Sequence, residues 1–100
     1  MQGNDYRFQD HYGERVPENV GRLIVNPGVQ VLPDKLCRRR VWLREVTLPE
    51  GLTKTGQEAF RSCDSLLEIK VVRTVESIGE GAFRRCHRLT KVEFEFSSSS

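Results

Sequence analysis

The sequence predicts an α/β solenoid, a short coil of stacked units with parallel strands on its concave side and short helices or 3-10 turns on its convex side. A repeated phrase is the first observation behind this. "TGQEAFRSCDSL" from Thr55 to Leu66 returns as "IGEGAFRRCHRL" from Ile78 to Leu89, with Gly56/Gly79, Ala59/Ala82, Phe60/Phe83, Cys63/Cys86 and Leu66/Leu89 each 23 residues apart. The second is a strand pattern at the same spacing. "VGRLIV" from Val20, "LREVTL" from Leu43, "LLEIKV" from Leu66 and "LTKVEF" from Leu89 all read apolar-x-x-apolar-x-apolar. Self-similarity at a fixed period of roughly 20–50 residues marks units that cannot bury their apolar faces alone and do so by stacking.

The elements follow in chain order. Residues 1–19 form either an N-terminal cap, with Tyr6, Phe8 and Tyr12 as apolar cover, or a disordered leader. The repeat domain spans residues 20–96, with strands near 20–25, 43–48, 66–71 and 89–94. After each strand comes a turn stretch, "NPGVQVLP", "PEGLTKTG" or "VRTVESIG", in which Val29, Leu52 and Val75, then Leu32, Thr55 and Ile78, recur in step and point inward. Pro33, Gly56 and Gly79 close these loops, since Gly and Pro punctuate the chain before a new element. The remaining segment places Ala59 and Cys63 at i and i+4, one face of a helical turn, with Phe60 beside them. Glu58 and Glu80 stand near the start of those turns, where exposed N–H groups favour a carboxylate.

The first unit departs from the pattern. Leu36 takes the Ala place, Cys37 the Phe place, and Arg40 the place of Cys63 and Cys86. A buried unpaired guanidinium is very costly, so Arg40 is expected to reach solvent at an end of the coil, where terminal units are commonly atypical. At the other end "KVEFEF" reads as a last strand with Phe94 and Phe96 in alternation, followed by a serine tail at 97–100. An open strand edge templates pairing with another chain. Continuation into further repeats, cover by a partner, and self-association there are the three expectations.

These features together resemble the BspA-like (Treponema pallidum type) leucine-rich repeats. The residues that carry the resemblance are the Gly-x-x-Ala-Phe-x-x-Cys-x-x-Leu phrase joined to LxxLxL strands, over about Val20 to Phe94. The resemblance implies a leucine-rich-repeat fold and a non-catalytic protein-protein interaction module, with surface adhesion as the usual role of such proteins in bacteria.

Composition narrows the function classes. The 100 residues carry 37 % hydrophobic and 30 % charged side chains with a net charge of +2, which suits a small globular domain and gives no general case for a polyanion binder. No apolar run approaches the roughly 20 residues of a spanning helix. The N-terminal stretch lacks the apolar core of a secretory signal, and three cysteines in no CxxC pairing fit a reducing compartment, so the cytoplasm is favoured over secretion. No cofactor or metal motif is present, and neither is a Gly-x-Ser-x-Gly, P-loop or His-Glu-x-x-His phrase. Cys86 beside His87 does not make a thiol dyad, because neighbours on a helical turn point about 100° apart. Cys63 and Cys86 read instead as rungs of a buried ladder, without a disulfide between them.

Two surfaces remain as candidates. On the concave face the outward strand positions stack into columns: Arg22, Glu45, Glu68 and Lys91, then Ile24, Thr47, Lys70 and Glu93. Strands lie roughly 4.8 Å apart, so Glu68 can meet Lys91 and Lys70 can meet Glu93. Glu45, Thr47, Glu68, Lys70, Lys91 and Glu93 are therefore the candidate protein-binding strip; the plainer reading is a solvated, self-compensated sheet face. On the convex face Arg38, Arg61 and Arg84 share one repeat position and Arg39 and Arg85 the next, with Arg40, His87 and Arg88 close by. That ridge, Arg38, Arg39, Arg61, Arg84, Arg85 and Arg88, is the candidate anion-binding surface, with nucleic acid as the alternative partner; Asp34, Glu58, Asp64 and Glu80 interspersed make it a solvated surface in the plainer reading. Trp42 falls at a polar repeat position, and the reading preferred for it is packing down over an apolar seam rather than anchoring a partner.

Overall fold

A computed structural model describes residues 4–95 of the chain. Phe96 and the serine tail lie outside the described residues. Eight short strands wind as a succession of parallel pairings: β1 (Asn4–Phe8), β2 (Val20–Val25), β3 (Val31–Leu32), β4 (Glu45–Thr47), β5 (Lys54–Thr55), β6 (Glu68–Val71), β7 (Ser77–Ile78) and β8 (Lys91–Phe94). The concave face holds β1-β2-β4 and β6-β8 as two sheets, and β3-β5-β7 form a third. Every pairing is parallel, and from β2 onward partners are 23 residues apart, as in Arg22↔Glu45, Val31↔Lys54, Lys54↔Ser77 and Glu68↔Lys91. β4, β6 and β8 begin two residues after the apolar pattern does, because Leu43, Leu66 and Leu89 fill the core from the preceding turn.

The predicted inward positions make the core. Val20, Leu23, Leu32, Leu43, Leu52, Phe60, Cys63 and Leu66 are all fully buried. Burial then fades along the coil. In the last unit Ile78, Val92 and Phe94 are exposed and Phe83, Cys86 and Leu89 only half-buried, since no described coil lies over them.

Residues 4–16 lie over the other end. β1 pairs with β2 in parallel, with Asp5 opposite Arg22 and Phe8 opposite Val25. Phe8 and Val16 are buried and Tyr6 packs against the core, whereas Tyr12 is fully exposed and covers nothing. The loop between β1 and Val16 is tied by Glu14, whose carboxylate accepts from the Tyr6 hydroxyl and from the backbone N–H groups of Gln9 and His11.

Of the short helices or 3-10 turns expected on the convex side, no helix is present among the described residues. Its segments are turns in which alternate N–H groups leave the coil sideways. Lys35, Cys37 and Arg39 donate to the carbonyls of Gln57, Ala59 and Arg61, and Glu58, Phe60 and Ser62 donate in turn to Glu80, Ala82 and Arg84. The intervening amides close turns within their own unit, as Arg38 to Lys35 and Arg61 to Glu58. This alternation needs a left-handed residue at fixed places: φ is positive at Lys35, Glu58 and Gly81, and again at Arg39, Ser62 and Arg85. A helix cannot run through two such residues in five. Backbones approach closely here, and a Cβ on Gly79 would stand 2.4 Å from the Gly56 carbonyl carbon, so no larger residue fits without moving the coils apart.

Candidate functional site

The concave strip is built by the strand register. Side chains at alternate strand positions point away from the core, which leaves Glu45, Thr47, Glu68, Lys70, Lys91 and Glu93 all exposed. β1 lengthens both columns at the N-terminal end, setting Asp5 beside Arg22 and Arg7 beside Ile24. The sequence hides this extension because β1 is offset from β2 by 17 residues at Asp5, outside the 23-residue period.

The charges do not cancel as the register suggests. Arg22 lies 3.5 Å from both Asp5 and Glu45. Lys70, although opposite Glu93, reaches Glu95 at 3.5 Å instead. Glu68 and Lys91 stand opposite one another without an ion pair, and Glu93 has none either among the described residues. Exposed pairs of this kind contribute only about 0–1 kcal/mol each, so a partner can exchange them readily.

Between β4 and β6 the concave ladder is interrupted. The two strands are neighbours but belong to different sheets, and a cleft of about 100 Å³ opens there, lined by all six of Glu45, Thr47, Glu68, Lys70, Lys91 and Glu93, with Val46 and Ile69 at its floor. The sequence pattern selects these residues one by one; the break that gathers them has no signature in it.

The convex arginines are more divided than a ridge. Glu58 sits between two of them, 2.9 Å from Arg61 and 3.8 Å from Arg38, and both guanidinium groups are half-buried. Arg39, Arg84, Arg85 and Arg88 are exposed. Arg40 reaches solvent only in part. It is half-buried and donates through Nε and Nη2 to the Val16 carbonyl and through Nη1 to that of Arg38, which removes the cost of an unpaired buried charge. Trp42 is 66 % exposed and covers no seam.

The cysteines form inter-coil rungs. Cys63 Sγ donates to the Cys37 carbonyl at 3.1 Å and Cys86 Sγ to the Phe60 carbonyl at 3.0 Å. Burial pushes the Cys37 thiol up to about 12. The neighbouring Cys86 thiol, together with burial, raises Cys63, and Cys63 beside it lowers Cys86 to about 7. His87 is exposed and makes no hydrogen bond to Cys86.

A family model described as "BspA type leucine rich repeat region (6 copies)" matches residues 27–100. Neither the curated proteins nor the solved structures give a match.

Proposed function

We propose, from the premise that the chain belongs to the BspA-type leucine-rich-repeat family, that it is a non-catalytic module that binds another protein through its concave strip. The observation that carries this reading is the cleft between β4 and β6, where the six outward residues meet around two apolar floor residues. Such a surface suits an extended polar segment of a partner carrying both charge signs: Glu68 and Glu93 await cations, Lys91 an anion. The inter-coil bonds of the convex side hold neighbouring strands at fixed spacing, so the strip is pre-organised and little ordering cost falls on this side of the interface.

Charge inversion tests the reading. The variant Glu68→Lys/Lys91→Glu/Glu93→Lys alters only exposed side chains and should melt like the parent. Proteins retained by the immobilised parent should be lost from this variant and kept by Arg84→Ser/Arg85→Ser. Retention by the concave variant, or loss from the convex one, would place the binding face elsewhere.

A further inference from the structure

A second recess lies at the N-terminal end of the convex face, away from the concave strip. Arg15, Glu18, Lys35, Arg38, Arg39 and Arg40 line a pocket of about 550 Å³ between the segment that leads into β2 and the first convex turn. Five cations and one carboxylate give it a local charge of +4 on a chain whose total is +2. Like charges so gathered repel one another, and the fold neutralises them only in part: Glu14 and Asp34 line an adjoining recess with Arg15, Lys35 and Arg40 but form no ion pair with them. Arg15, Lys35 and Arg39 make no ion pair or side-chain hydrogen bond among the described residues, and the carboxylate nearest Arg38, Glu58, is shared with Arg61.

Two details make this a built recess rather than a run of surface charge. Arg40 is fixed in the wall by the carbonyls of Val16 and Arg38, which holds its guanidinium in place and leaves part of its N–H set open to the pocket. Arg38 is held as well: its buried Nε makes no hydrogen bond but stands 3.8 Å from the Glu58 carboxylate, which ties this side chain to the neighbouring coil.

We propose that this pocket binds a small polyphosphorylated molecule. Each phosphate brings a charge of about −1.5 to −2 and three acceptor oxygens, so two or three phosphates match the uncompensated cations, and arginine is the side chain best suited to grip them in pairs of parallel N–H bonds. The volume falls within the roughly 300–1,000 Å³ of small-molecule sites. The strip-binding reading does not require this pocket, and the two fail independently.

Calorimetric titration of the whole chain at low salt, with inorganic tripolyphosphate and inorganic phosphate as probes, tests the proposal. Tripolyphosphate should bind saturably at one site, about tenfold or more tighter than phosphate, an increment of about 1.4 kcal/mol. Arg15→Ser/Lys35→Asn/Arg39→Asn should weaken it by at least about tenfold; asparagine is chosen at 35 and 39 because it tolerates their positive φ. Glu18→Gln should strengthen binding by removing the one carboxylate, and it carries the test if the triple variant melts early. Arg84→Ser/Arg85→Ser should change nothing. Absence of saturable binding, an equal loss from the Arg84/Arg85 variant, no gain from Glu18→Gln, or tighter binding of duplex DNA through Arg84 and Arg85 overturns the proposal.

Discussion

Arg40 donates two hydrogen bonds to the carbonyl of Val16, at 3.0 and 2.7 Å, and this places an arginine in the role that cysteine plays elsewhere in the coil. Cys63 bonds back to Cys37 and Cys86 back to Phe60, each reaching a carbonyl of the preceding coil. In the first unit that preceding layer is the non-repeating segment around Val16, and a longer donor reaches its carbonyl. Arg40→Ala should therefore cost about 2 kcal/mol, the range of bonds made by a charged donor. Arg88→Ala, on an exposed side chain, should stay within about 0.5 kcal/mol. Urea unfolding of the two variants checks the difference.

Phe60 and Phe83 stack with centroids 5.7 Å apart and planes within 5°, yet they are not equivalent. Phe60 is fully buried, whereas Phe83 has a described coil on one side only. Phe60→Ala should cost about 3–5 kcal/mol and Phe83→Ala about 1–2 kcal/mol. Equal losses in thermal melts would mean that Phe83 is covered in solution.

Thr55 occupies an inward position that Leu32 fills one coil earlier, and its hydroxyl is buried without a partner. Thr55→Val removes that hydroxyl and suits the short strand β5 by its β-branching. The variant should be more stable by about 1 kcal/mol. A lower melting temperature would show that the hydroxyl is bonded.

Thiol reagents should distinguish the three cysteines. Cys37 and Cys63 are fully buried and their thiols are pushed up, while Cys86 is half-buried and lowered to about 7. Since the thiolate is the reactive form, Cys86 should be labelled first, at a rate that rises as pH climbs through about 7. Cys37 and Cys63 should react only on unfolding. Mass spectrometry of alkylated peptides reads both outcomes.

Much of the fold was legible because apolar residues at period 23 can only be buried together by stacking. Leu23, Val46 and Ile69, or Leu36, Ala59 and Ala82, announce their layers from the sequence. On the convex side the i, i+4 spacing of Ala59 and Cys63 left short helices and turns both open, because it suits a helix but is equally met by two successive turns. The positive φ at Glu58 and Ser62 comes from hydrogen bonding to the next coil, which these residue types do not advertise. The outward strip followed from strand alternation. Its cleft did not, because it depends on two strands failing to ladder. The basic pocket was signalled only by Arg40 standing where the pattern calls for cysteine; Arg15 and Lys35 join it through the path of a non-repeating segment.

The central claim is that neighbouring coils are fastened by alternate convex amides, which fixes the spacing of the concave strands. Residue-resolved amide hydrogen exchange tests it most directly. Protection is predicted at Cys37, Arg39, Phe60 and Ser62, which donate to the next coil, and fast exchange at Phe83 and Arg85, the same positions in the unit with no described coil beyond it. Unbroken protection from 57 to 63, as in a helix, or rapid exchange at Phe60 and Ser62, would contradict it.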